Sequence, residues 1–251
     1  MQTIETLLNH KTIRNYKSDP IDDKILNTIL EAGFRASTTG NMQVYSVIVT
    51  KDEQNRKELC KFHFGQKMVE QAPVLLTFCA DFNRFNKWCE QRGAKPGYDN
   101  FLSFFTASID ALLVAQNVGV AAEAYGLGIC YLGTITYMAD KFIEFFEMPK
   151  GVVPVASFVI GYPADDPERA DRLPAEGVVH YEKYKDYSPG DIDRIYEEKE
   201  NLPLTQKLLE ENQLPSLAHI FTEKRYTQKD NVHFSNVFLK VLKDQGFMNN
   251  D

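Results

Sequence analysis

The stretch from Phe101 to Tyr125 constrains the fold of this chain more than any other segment. It is apolar around most of a helical circumference, and Ser103, Asp110, Gln116, Asn117 and Glu123 interrupt it. A membrane span wants roughly 20 mostly apolar residues without such breaks. A surface helix wants one clearly polar face. The segment therefore reads as a helix in the middle of a structure or against a partner chain.

The rest of the composition is compatible with such a core. Of 251 residues, 43% are hydrophobic and 12% aromatic, enough for a sizeable interior and an interface. The length allows one large domain or two small ones. The formal net charge of −7 argues against a nucleic-acid or membrane-surface protein, so any anion site must be local. Cys60, Cys79, Cys89 and Cys130 form no C-x-x-C pair and no zinc-like spacing, which predicts free thiols, no metal site and a reducing, cytoplasmic setting. The start, Met1-Gln2-Thr3-Ile4-Glu5, lacks the apolar run of a signal peptide.

Along the chain, Ile4, Leu7 and Leu8 predict a short first helix. Asp22 or Asp23 caps a second, with Ile25, Ile29, Leu30 and Ala32 on one face and an end near Gly33. Val44 to Thr50 is a strand, Lys51 to Phe62 a helix, and Pro73 to Cys79 a buried strand. Residues 83–97 hold a helix and a loop. Gly128 to Gly133 is a short strand, Met138 to Phe146 a helix, and Pro154 to Gly161 another buried strand. After residue 180 the chain turns charged and helical, with helices expected at Asp191 to Glu200 and His233 to Gln245. The alternation predicts a layered α/β or α+β fold. There is no G-x-G-x-x-G, P-loop, H-E-x-x-H or G-x-S-x-G.

Four segments could carry chemistry. His10-Lys11-Thr12-Ile13-Arg14 packs two cations, an imidazole and a hydroxyl into five residues of an acidic chain. Arginine offers a planar fork for phosphate and lysine a point charge. Basic residues after a short helix also balance its C-terminal dipole, which is the plain alternative. The loop Ser37 to Gln43 carries hydroxyls and amides suited to a polar ring edge or a phosphate, or is an ordinary connection. Gly126-Leu127-Gly128 and Tyr131-Leu132-Gly133 would allow close approach of a flat ligand, or mark a packed strand end. The loop from Pro163 to Pro174 brings Arg169 and Arg172, for an anion or for solvent. His63, His180, His219 and His233 are expected at the surface or satisfied internally.

Taken in order, these segments resemble the nitroreductase superfamily, and most closely its oxygen-insensitive NADPH nitroreductase and NADPH–flavin oxidoreductase subgroup. His10 to Arg14 is similar to the family's H-R-S-I-R segment. Gly65-Gln66-Lys67 matches a flavin-binding G-Q-K, Gly161-Tyr162-Pro163-Ala164 a G-W/Y-P-A turn, and Arg172-Leu173-Pro174 an R-L-P. The likeness runs from about Thr3 to His180 and more loosely to Gly246. It implies an α+β fold with a central, mostly antiparallel sheet flanked by helices. It also implies an intertwined homodimer joined by the long apolar helix, with one FMN at each end of the interface. An FMN-binding core over 1–180 and a helical C-terminal extension over 181–251 packing on that core are expected.

The resemblance further implies that His10, Lys11, Thr12 and Arg14 hold the phosphate, ribityl chain and part of the ring. Gln66 would reach the ring edge, Tyr131, Leu132 and Gly133 would line one face, and Arg172 would add charge at the phosphate. Thr38, Thr39, Asn41 and Gln43 would come from the partner chain. The subgroup's lysine two residues before the R-L-P arginine is Ala170 here, leaving Arg169 to substitute. The subgroup's arginine-rich NADPH segment is not evident between Leu202 and Arg225, where only Lys207, Lys224 and Arg225 are candidates. The implied function is two-electron, ping-pong reduction of nitroaromatics, quinones or free flavin by NADPH or NADH. The flavin carries the hydride, no side chain is catalytic, and Arg14 lends electrostatic support. The alternative is a non-catalytic flavin-binding module.

Overall fold

The computed structural model describes residues 3–249, which fall into two compact units. The first takes in residues 3–169 and 234–249, and the second residues 170–233.

In the first unit, α1 (Thr3–Leu8) and α2 (Asp23–Gly33) precede β1 (Tyr45–Thr50). Next come α3 (Glu53–Phe62), α4 (Met68–Gln71), β2 (Val74–Asp81), α5 (Asn83–Gln91) and α6 (Phe101–Ala124). Then follow β3 (Gly128–Tyr131), α7 (Thr134–Tyr137), α8 (Ala139–Phe145) and β4 (Val152–Gly161). The four strands form one antiparallel sheet in the order β1-β2-β4-β3, an α+β arrangement.

The apolar run of β2 is explained by burial on both faces. Val74, Leu76 and Phe78 point toward α2 and α6, whereas Leu75 points toward α3, α4 and α8. β4 does the same with Phe158 and Ile160 on one side and Val159 on the other. Successive side chains alternate across a strand, so a strand between two helical layers must be apolar throughout.

α6 buries Ala111, Val114, Ala115, Val118 and Ala122 against the sheet. Its opposite side leaves Leu102, Phe105, Ile109, Leu112 and Leu113 exposed, an apolar stripe at helical spacing. By length and composition α6 could cross a membrane, yet half of its most apolar window is buried within the fold. α2 is capped by Asp22, whose side chain accepts the Lys24 and Ile25 N–H groups. Its buried face is Leu26 and Ile29 rather than Ala32, which is exposed. A Cβ on Gly33 would lie 2.2 Å from Val118 Cγ2, so the α2–α6 crossing requires glycine there.

The helix expected over 138–146 is α8, and the single turn α7 ahead of it was not expected. Met138 leaves helical geometry between them (φ −117°, ψ 27°).

In the second unit, α9 (Pro189–Asn201) starts with a capping box between Ser188 and Asp191 and is followed by α10 (Pro203–Asn212) and α11 (Leu217–Ile220). α12 (Gln228–Asp244) begins five residues before the expected His233. From residue 234 on α12 belongs to the first unit, where Val241 and Leu242, with Phe247, lie beside Val44, Phe82 and Phe104.

Candidate functional site

The 10–14 segment lies outside every helix and runs extended along the end of β3. The Ile13 N–H donates to the Ile129 carbonyl at 3.0 Å, and Thr12 forms a parallel bridge with the same residue. Further on, Tyr16 bridges Pro163, the Lys17 N–H donates to Tyr162 O at 2.9 Å, and Ala164 N–H donates to Asn15 O at 2.9 Å. The Tyr16 hydroxyl closes the turn by donating to Ile13 O at 2.6 Å. Ile13 and Tyr16 are buried in the core, which leaves Lys11, Thr12 and Arg14 partly or fully exposed. A Cβ at Gly128 would stand 2.3 Å from Ile13 Cγ1, so glycine is what lets the segment lie this close to β3.

Each polar side chain of the segment has a defined state. His10 Nδ1 and Glu123 Oε1, on α6, are 2.5 Å apart. Burial raises the Glu123 carboxyl above its ordinary range, and the His10 hydrogen bond opposes that rise. Lys11 Nζ donates to the exposed Asp166 at 2.5 Å, and Asn15 donates to Asp165 at 2.5 Å. Arg14 is exposed and makes no hydrogen bond or ion pair among the described residues. The cation that bonds the α1 C-terminal carbonyls is Arg169, whose Nη1 donates to Leu8 O at 3.1 Å. The basic cluster is therefore not consumed in capping that helix.

Beside this segment stands Tyr131-Leu132-Gly133. The Leu132 N–H donates to Ser157 O at 2.9 Å, and its side chain is buried. Tyr131 is exposed and rests edge-on against Phe158, with centroids 5.0 Å apart. Burial of its hydroxyl, with the nearby Glu123 charge, raises the Tyr131 pKa. Gly133 faces open space, with nothing within 4 Å of a Cβ built on it. Gln66 joins here, its Nε2 donating to Thr134 Oγ1 at 3.5 Å. His63 Nδ1 lies 2.7 Å from the same hydroxyl. His63 is fully buried, and its Nε2 has no partner among the described residues, so it is only half satisfied.

Thr38, Thr39, Asn41 and Gln43 are placed elsewhere. The Thr39 N–H donates to Asp110 Oδ1 on α6 at 2.9 Å, and Gln43 Nε2 donates to Asn41 Oδ1 at 3.2 Å. Gly40, Asn41 and Gln43 all have positive φ, and Arg84 donates to the Gln43 carbonyl. Asp110 and Glu123 are thirteen residues apart on α6, about 20 Å along a helix rising 1.5 Å per residue. Arg172 belongs to the second unit, where its Nη1 donates to the Ala170 and Asp171 carbonyls.

The partners Glu123, Asp165, Asp166, Thr134 and His63 were not anticipated as part of the cluster. Glu123 carried one signal, as an acid within an otherwise apolar helix. Among the described residues no group of three His, Cys, Asp or Glu could hold a metal ion.

Residues 7–162 match the family described as Nitroreductase family. The chain is 35% identical over 184 residues to the FMN reductase (NADPH) of Bacillus subtilis (strain 168), covering 72% of this chain and 74% of that one. A crystal structure from Bacteroides fragilis NCTC 9343 superposes with a TM-score of 0.96 at 50% identity, covering 98% of this chain and 100% of that one. The NADPH:FMN oxidoreductase from Vibrio harveyi complexed with NAD+ superposes with a TM-score of 0.83 at 28% identity, covering 99% of each chain.

Proposed function

The chain belongs to the nitroreductase family, and on that premise we propose that it is an FMN-dependent oxidoreductase. It takes electrons from NADPH or NADH and passes them to nitroaromatics, quinones or free flavin. The observation that carries this reading is Arg14, an exposed guanidinium without a partner among the described residues, on a segment pinned beside the open Tyr131–Gly133 edge.

The residues fit the cofactor. A phosphate carries close to two negative charges and wants donors not already committed. Arg14 supplies an uncommitted cation. Lys11 can be shared with Asp166, and Thr12 adds a hydroxyl. His10, fixed by Glu123, completes the segment. Arg169, anchored at Leu8, brings charge that Ala170 does not. Tyr131, Leu132 and Gly133 line one face, and Gln66 meets the ring edge. FMN, when bound, supplies acceptance and donation of hydride, while the protein supplies position and charge. Arg14 offsets negative charge on the reduced cofactor. One open place serves reductant and acceptor in turn, which gives ping-pong exchange without a side-chain acid or base.

Thr38, Thr39, Asn41 and Gln43 act in a second copy of the chain. Their anchor on α6 is about 20 Å from that of His10. The exposed stripe Leu102, Phe105, Ile109, Leu112 and Leu113 supports a homodimer through α6. The FMN-binding core is assigned to 1–180 and the helical extension to 181–251; the compact unit of 3–169 and 234–249 supports the first and adds the end of α12 to it. Four free cysteines support a reducing, cytoplasmic setting.

The test is the visible spectrum of the purified protein, followed by bleaching with NADPH or NADH and reoxidation by a nitroaromatic or a quinone. Bound flavin that neither nucleotide bleaches refutes the enzyme. Arg14→Ala should lose most of its flavin; unchanged flavin content refutes the site.

A further inference from the structure

We infer that His63, acting through Thr134, fixes which end of the Gln66 amide is offered to the cofactor. This rests on the reading in which Gln66 meets FMN. His63 is fully buried at the end of α3, with Phe142 4.8 Å from its ring and the Thr134 hydroxyl 2.7 Å from Nδ1. Among the described residues no charged side chain bonds it. Burial pushes its pKa down to about 4, so the ring is neutral at physiological pH.

A neutral imidazole has one donor nitrogen and one acceptor, and a threonine hydroxyl has one proton to give. Thr134 Oγ1 accepts the Gln66 amide N–H. Its own proton is then free to go to His63 Nδ1. That leaves the ring proton on Nε2, the buried nitrogen without a partner among the described residues. In the other tautomer Nδ1 donates to Thr134, and the hydroxyl proton, displaced from His63, gains an acceptor when the Gln66 amide turns its oxygen toward it. Tautomer and amide orientation are thus one two-state device, and the structure holds it with the amide nitrogen toward Thr134. The carbonyl oxygen is the end left for a ligand, an acceptor suited to the imide N–H of a flavin ring. His63 and Thr134 are positioning residues, because neither needs to touch the cofactor to set this.

Released from Thr134, the amide can turn its NH2 outward. A donor at the ring edge favours the electron-richer reduced cofactor, so release should raise the midpoint potential. Thr134→Val, which keeps the volume, and His63→Leu should each increase the ratio of affinities for reduced over oxidised FMN three- to tenfold. Tenfold is about 30 mV for a two-electron couple. The double variant should shift no further than either single one, as expected of residues acting through one path. His63→Asn, whose Oδ1 can stand where Nδ1 does, should stay near the parent value.

The measurement is the midpoint potential of the flavin-loaded proteins, with the position of the visible band beside it. Flavin-loaded Thr134→Val with an unchanged potential overturns the inference, and this variant serves whether or not His63→Leu folds. A shift in Thr134→Val that His63→Leu fails to reproduce, or that His63→Asn shows in full, removes His63 from the path. A parent protein that binds no FMN overturns the functional reading instead, and the two failures are distinguishable by colour alone.

Discussion

Gly128→Ala tests the placement of the 10–14 segment most directly. The new Cβ would lie 2.3 Å from Ile13 Cγ1 and 2.7 Å from Ile13 Cβ, where an ordinary carbon contact is about 3.5–4.0 Å. Ile13 must retreat by about 1 Å. It cannot move inward, because Cys130, Leu132 and Val159 close the core behind it. It moves outward and takes its backbone along, stretching the Ile13–Ile129 hydrogen bond. Overpacking costs about 1–3 kcal/mol, and a weakened backbone bond adds about 1 kcal/mol. The expected loss is about 2–4 kcal/mol. With a urea m-value of about 3 kcal/mol per molar, the unfolding midpoint falls by about 1 M, measured at fixed protein concentration. Arg14 is displaced with Ile13, so flavin content should fall in the same sample. Ile13→Ala removes Cγ1, the closest colliding atom, and Cγ2, and leaves only the Cβ contact. The double variant should therefore be less destabilised than the sum of the singles. An unchanged urea midpoint with full flavin content in Gly128→Ala would refute the proposed contact between β3 and the 10–14 segment.

Three further outcomes follow from other parts of the molecule. The His63 pKa lies near 4 folded and about 6.5 unfolded; its neutral form is favoured by folding, so this contribution is complete above pH 6.5 and is lost as pH falls toward 4, on the order of 3 kcal/mol in full. Urea midpoints of the parent and His63→Asn between pH 7 and 4 check it, the parent falling more steeply. Asp110→Ala leaves the Thr39 N–H without its acceptor and frees a loop with positive φ at Gly40, Asn41 and Gln43; amide exchange at Thr39 should accelerate roughly tenfold or more, and an unaltered rate would show that the carboxylate is not its anchor. Ile109→Glu places a charge in the middle of the exposed α6 stripe, and if the proposed homodimer forms there, light scattering should give the mass of two chains for the parent and of one for the variant at micromolar concentration.

What could be read from residues alone follows from how far each signal reaches. β2 and β4 are legible because burial on both faces demands an apolar string, and α6 because it carries an exposed apolar stripe besides its buried face; both signals are local. The single turn α7 and the exposure of Ala32 are not legible, since both follow from what packs against the helix. The same divide runs through the candidate site. Lys11 and Arg14 look alike as cations three residues apart, yet their states differ because Asp166, 155 positions away in sequence, is folded against one of them and not the other. Spacing could therefore nominate the cluster but could not rank its members. Pairing ranks them: a lysine already bridged to a carboxylate gains less from a phosphate than an arginine with no partner among the described residues, because the first must give up one ion pair to make another. Arg14→Lys should accordingly weaken FMN retention more than Lys11→Arg does, a fork being replaced by a point charge at the uncommitted position. Equilibrium dialysis of the two variants decides it. Equal retention would mean that the Lys11–Asp166 pair opens freely and that charge alone holds the phosphate.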